Sequence, residues 1–290
     1  SLNSMVREIF SRDTQRDMGR PYTRSRYYHL YINGMYWGLY QTQERSEAKF
    51  AATYFGGDDE DYDVIKVNTE DYEYAIEATD GNTESWRRLW DMCATGFASD
   101  ADYYRLEGKD ENGKPVKGGE IMVDIDNLID YMMVIFYTGN FDAPASSFFG
   151  NKGVNNFYAI DDRTDRSKGF TFYAHDSEHS LFDEPRSPGV GITEDRVNLG
   201  TRTDDMVMRV TSFQRFHPQW LHFRLTENAE YRARFADRAY NHLNQGGVFD
   251  PARALERINA RVEQIDLAVI AESARWGDAK RPQGSPYTRT

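Results

Sequence analysis

A chain of 290 residues with 39% hydrophobic and 14% aromatic side chains is long enough to bury one large core, or a core plus a smaller lobe. Its net charge of −12 repels a phosphate backbone and sets nucleic acid aside as a partner, and no run of about 18 apolar residues is present to cross a membrane. Cys93 stands alone, which leaves neither a disulfide framework nor a cysteine zinc site, and the start at Ser-Leu-Asn without an initiator Met reads as a piece of a longer protein.

The first strong local signal is YYHLYINGMYWGLYQTQE, residues 27–44. Asn33-Gly34 is the pair favoured in a two-residue type I′ turn, and its Tyr-, Ile- and Trp-rich flanks predict strands at about 27–32 and 35–42. A hairpin must bury one face, so Tyr36, Trp37 and Tyr40 are expected in core packing rather than around a ligand. The acidic run GGDDEDYD (56–63) reads as a solvated loop and lacks the ligand spacing of a calcium loop. DYDVIKV (61–67) predicts a third strand, and residues 84–108 turn helical, with Trp86, Leu89, Trp90 and Cys93 at helical spacing.

A loop over 109–120 leads into a buried helix over 124–140, capped by Asp124 and ended by Gly139. Strands follow at about 156–160 and 170–175, joined through DDRTDRSKG, and the Pro- and Gly-rich stretch 184–203 reads as loop. Helices are predicted over 217–225, after the cap Asn228, and from Asp250-Pro251, where Pro at the first helical position costs least. Leu255, Ile258, Val262, Ile265 and Val269 form an apolar seam expected to face the core.

Chemistry concentrates at the ends of the central elements. GFTFYAHDSEHSLFD (169–183) ends a strand with Asp176 and Glu178 between His175 and His179. An antiparallel hairpin brings the start of one strand beside the finish of the next, which sets Asn156 and Asp176 at one mouth. An amide oxygen with two carboxylates is an all-oxygen donor set that suits Mg²⁺. Asp142, in the loop GNFDAPAS, is then positioned to act on a hydroxyl. Phosphoryl transfer needs this combination: a cation on the phosphates and a carboxylate that orients or deprotonates the acceptor. Duller readings stand beside each residue: an Asx turn before Pro144 for Asp142, a turn amide for Asn156, a strand-end cap for Asp176 and an Arg salt bridge for Glu178. The two histidines suggest zinc, or a partner that orients an acid.

LYINGMYWGLYQTQE (30–44), DYMMVIFYTGNFDAP (130–144) with NNFYAI (155–160), and YAHDSEHSLF (173–182) resemble the signature stretches of the spore coat protein H (CotH) kinase family, and FADR (235–238) and AESARWGD (271–278) are similar to the C-terminal helical part of its large bacterial secreted members. The resemblance implies an α+β, atypical protein-kinase-like fold with a small, partly truncated β-rich lobe and a larger helical lobe. It implies a catalytic core over 1–200 and a C-terminal helical part of the same domain over 201–290. It implies ATP and Mg²⁺, or Mn²⁺, as cofactors, protein Ser/Thr as acceptor, and a secreted or cell-surface location. Asp142 matches the family's catalytic Asp and Asp176 its metal-binding Asp, and Asn156 is the metal amide this implies; Glu178 stays a candidate ligand from its place two residues beyond Asp176. Family members carry a basic segment upstream of the hairpin that this sequence does not show. Lys66 is the strand lysine placed to serve the phosphates instead, with Glu44 as its partner. The alternatives are a kinase-like module that binds a surface partner without catalysis, and a metal-dependent hydrolase.

Overall fold

The computed structural model describes residues 5–70, 74–151, 153–182, 195–197, 210 and 212–277. The predicted loop 184–203 therefore lies almost wholly outside the described residues. Helix α1 (Arg7–Asp17) leads into a hairpin of β1 (Ser25–Ile32) and β2 (Met35–Gln43). Asn33 and Gly34 take φ of 51° and 80°, the pair of positive values that a type I′ turn demands. Helix α2 (Ala48–Phe55) follows, then β3 (Tyr62–Asn68), β4 (Ala75–Asp80), α3 (Glu84–Thr95) and α4 (Asp100–Leu106). Helix α5 (Ile125–Thr138) starts where the Asp124 carboxylate accepts from the Asn127 N–H at 2.9 Å and ends at Gly139 with φ of 58°.

Two-residue strands β5 (Ala145–Ser146) and β6 (Gly153–Val154) precede β7 (Phe157–Asp162) and β8 (Thr171–Ala174). The C-terminal helices are α6 (Pro218–Leu225), α7 (Ala229–Leu243), α8 (Pro251–Ile265) and α9 (Ala268–Trp276). Asn228 caps α7 by accepting from Glu230 and Tyr231, and Asp250 caps α8 ahead of Pro251. The mixture of helices and small antiparallel sheets is an α+β architecture.

The central sheet has the order β4-β3-β7-β8, antiparallel throughout, and both faces are covered. Period-two alternation sends Ile65, Val67, Phe157, Ala159 and Phe172 into the larger core with α3 and α5, and Val64, Tyr158, Ile160 and Tyr173 into a smaller one under α2. Trp86 is fully buried in the larger core, with ring centroids 5.0 Å from Phe170 and 4.5 Å from Phe216.

The β1–β2 hairpin forms a separate two-stranded sheet, and here the structure corrects two expectations. Only Ser25, Gly38 and Leu39 of its strands are buried, while Tyr40 is 45% exposed and Trp37 packs not in the core but on α9, 5.4 Å from the Trp276 ring. The seam on the last helices is interrupted too. Val269 belongs to α9 rather than α8, and Leu255 and Val262 are 59% and 41% exposed, with Ile265 alone buried. Helix α8 packs on the small helix α1 instead of a broad apolar layer, so only part of its stripe finds cover. Helices α1 and α2 and strand β4 were not anticipated from the sequence.

Candidate active site

The loop after α5 is built around Asp142. Its backbone N–H donates to the Asn140 side-chain oxygen at 3.0 Å, an Asx turn made by Asn140 and not by Asp142 itself. The chain then folds on itself as β5 and β6, with Ala145 opposite Val154 and Ser146 opposite Gly153, and the Asn155 N–H donates to the Pro144 carbonyl at 2.9 Å. The long gap between Asp142 and Asn156 is thus taken up by a small hairpin that returns the chain to where it left.

Three donors converge on the Asp142 carboxylate as a result. The Asn155 amide donates to Oδ1 at 3.0 Å, the Asn156 amide to Oδ2 at 2.9 Å, and the Ser146 hydroxyl to Oδ1. Asp142 is 6% exposed. Burial raises its pKa above the ordinary carboxyl range, partly opposed by Ser146 and Asn155 and by the nearby His179 and Arg196. Asn156 has φ of 44°, a left-handed conformation that Asn tolerates better than most residues. Its Oδ1 bonds to no donor among the described residues.

Asp176 lies two residues beyond the end of β8, at φ of 48°. Its carboxylate has no hydrogen-bond or ion-pair partner among the described residues. The residue is exposed at the surface, although the protein around it still takes water from its carboxyl. Desolvation, with the neighbouring acids Glu8, Glu178 and Asp142, pushes it up to about 6. The next residue is fixed from α1: the Ser177 N–H donates to Glu8 Oε2, and Glu8 is paired with the buried Arg12 at 2.5 Å. Arg12 in turn donates to the Gln43 side chain at 2.8 Å, the Glu44 carbonyl at 3.2 Å and the Thr23 hydroxyl, tying α1 to the end of the β1–β2 hairpin.

The structure therefore brings Asp142 and Asn156 into direct contact, with Asp176 close enough to feel the Asp142 charge. Glu178 is near enough for its charge to raise Asp176, with its side chain 42% exposed and 3.6 Å from His179. Other expected members stand elsewhere. Lys66 pairs across the sheet with Glu77 at 3.3 Å rather than with Glu44, which binds Arg24 at 3.4 Å and accepts from the Tyr54 hydroxyl. His175 stacks edge-on against Tyr158 at 4.8 Å, and burial lowers its pKa to about 4. His179 lies 5.2 Å from the Phe141 ring and 5.1 Å from Phe148. Asn155, Ser146 and Glu8 are site residues that sequence reasoning did not select. Asn155 adjoins the chosen Asn156, but the other two carry no local signal.

No three His, Cys, Asp or Glu side chains among the described residues are arranged to hold a metal by themselves. The donor chemistry still fits a hard cation. An unpartnered Asp176 carboxylate crowded by acids and an unclaimed Asn156 amide oxygen are ligands that suit Mg²⁺ or Mn²⁺ once phosphate oxygens complete the shell. No helix among the described residues is long and apolar enough to cross a membrane. No curated protein matches the chain. The family model described as CotH kinase protein matches residues 3–288, nearly the whole length, and the chain belongs to that family.

Proposed function

We propose that the chain is an atypical kinase-like phosphotransferase that moves the terminal phosphoryl group of ATP to a Ser or Thr hydroxyl of a protein. One observation carries this reading: a buried Asp142, held by Ser146, Asn155 and Asn156, beside an unpartnered Asp176 at the mouth of the β7–β8 hairpin. In this reading Asp142 orients the acceptor hydroxyl and takes its proton as the new O–P bond forms and ADP leaves. The amides and hydroxyl hold its carboxylate at a fixed angle, and burial makes it a better proton acceptor than an ordinary Asp. Asp176 and the Asn156 oxygen hold Mg²⁺ or Mn²⁺, which when bound neutralises phosphate charge. Lys66 serves the phosphates only by leaving Glu77. Residues 1–200 and 201–290 then act as one domain, the partner is a protein, and the setting is secreted or at the cell surface.

The test is transfer of label from ATP to candidate protein acceptors with Mg²⁺ or Mn²⁺. We expect the wild type to label its acceptor, and Asp142→Ala and Asp176→Ala each to lose roughly 100-fold or more. Labelling at the wild-type rate in both variants contradicts the reading. A second reading, a kinase-like module that binds a surface partner, draws on the pairing of Lys66 with Glu77 instead of Glu44. It predicts no thermal shift with Mg-ATP and a clear one with the partner.

A further inference from the structure

Among the described residues strand β8 is the edge of the central sheet, paired on one side with β7 alone. An edge strand presents unpaired N–H and C=O groups, and inside a core these must find partners. Two helix-borne amides supply them. The Gln15 side chain on α1 donates to the Phe172 carbonyl at 3.0 Å and accepts from the Ala174 N–H at 2.8 Å. The Asn127 side chain on α5 accepts from the Phe172 N–H at 2.6 Å and donates to the Phe172 carbonyl at 3.4 Å. Both side chains are buried, Gln15 at 1% exposure and Asn127 at 0%.

The Gln15 pattern is specific. One amide gives its N–H to the C=O of residue 172 and takes the N–H of residue 174, the pair of bonds that one residue of a parallel neighbouring strand makes. Two turns earlier on α1, Glu8 accepts from the Ser177 N–H. The spacing of seven residues puts Glu8 and Gln15 on one helical face. The backbone is therefore gripped immediately before and immediately after the turn that carries Asp176, a residue with φ of 48°. A left-handed Asp is an uncommon conformation that these bonds on either side help to fix.

We infer that Gln15 is a positioning residue: its amide stands in for a missing sheet strand and fixes the direction in which Asp176 leaves β8. Its consequence for nucleotide binding rests on the phosphotransfer reading above, while the clamp itself does not. Gln15→Leu keeps the bulk and removes both bonds, and Gln15→Glu keeps an acceptor for the Ala174 N–H. Ile9→Ala, at a fully buried position of the same helix, matches the loss of stability without touching the clamp.

Residue-resolved amide exchange and calorimetric titration of Mg-ATP are measured on the full chain. In Gln15→Leu we expect exchange at Ala174 and Ser177 to quicken at least ~10-fold and Mg-ATP affinity to fall about 10-fold, the usual cost of losing a group that orients a ligand. Gln15→Glu recovers part of the protection at Ala174, and Ile9→Ala leaves the ratio of exchange at these two sites to the rest of β7 and β8 unchanged. Unaltered exchange at Ala174 and Ser177 in Gln15→Leu, or an equal change in Ile9→Ala, overturns the inference. If the wild type binds no Mg-ATP, the phosphotransfer reading fails, and the exchange data alone decide the role of Gln15.

Discussion

Two hairpins of the chain, both rich in aromatic residues, have opposite fates. Strands β1 and β2 are rich in Tyr and Trp, turn at Asn33-Gly34, and stand as a two-stranded sheet with Tyr28, Tyr31, Met35 and Tyr40 exposed. Strands β7 and β8 carry Phe157, Tyr158, Phe172 and Tyr173, all at 1% exposure or less, and open onto the candidate site. An isolated hairpin is marginal in water, and the first is held by its neighbours: Glu272 on α9 accepts from the Leu39 N–H at 2.7 Å, and the Trp276 indole donates to the Trp37 carbonyl at 2.5 Å. The second is held by burial on both faces. Aromatic content and turn chemistry specify that a hairpin forms, and the layers around it specify what it is worth.

Truncation breaks or sharpens that contrast most strongly. Phe172→Ala should cost about 3–5 kcal/mol in denaturant unfolding, whereas Tyr40→Ala should fall within about 0.5 kcal/mol of wild type. Similar losses at the two positions contradict the assignment of core and surface.

The second effect depends on pH. Asp161, near the far end of β7, is 4% exposed and directly opposite the buried Asp63, and desolvation pushes it up to about 6. A pKa raised by folding means that protonation favours the folded state. The contribution is complete below the unfolded value near pH 4 and is lost as pH rises through about 6. Asp161→Asn should flatten urea midpoints over that window and gain up to about 2 kcal/mol above it, less the lost pairing with Arg166 at 3.1 Å. A variant with the wild-type pH slope removes Asp161 as its source.

On the first hairpin, Glu272→Ala leaves the Leu39 N–H without its acceptor. It should cost about 1 kcal/mol and quicken exchange at Leu39 while leaving β7 and β8 protected. Equal loosening of both hairpins contradicts their independence. The smallest effect belongs to α8, where Val262→Ser should change stability by under about 0.5 kcal/mol because the residue is already 41% exposed.

The fold was legible in the sequence where periodicity or punctuation is strong. The Asn33-Gly34 turn, the Asp124 and Asn228 caps and the β7 and β8 strands all lie where local chemistry puts them. Helix α1 was not legible, because REIFSRDTQRD lacks an apolar stripe and buries Glu8, Arg12, Asp13 and Gln15 through ion pairs and amide bonds. The exposed part of the α8 seam was misread for the converse reason: a stripe records what a helix can bury, not what arrives to cover it. In the site, Asp142, Asn156 and Asp176 stood out as polar residues at the ends of strong elements. The roles of Ser146 and Asn155 depend on a hairpin of two-residue strands, and that of Glu8 on a contact across 169 positions, neither of which leaves a local trace.

The account turns on whether Asp176 and Asp142 do different work at one nucleotide. Calorimetric titration of Mg²⁺ with a non-hydrolysable ATP analogue into wild type, Asp176→Asn and Asp142→Asn separates them. The account predicts saturable binding to wild type, affinity at least ~10-fold weaker in Asp176→Asn, and binding within about threefold of wild type in Asp142→Asn. Binding to Asp176→Asn as tight as to wild type would contradict it.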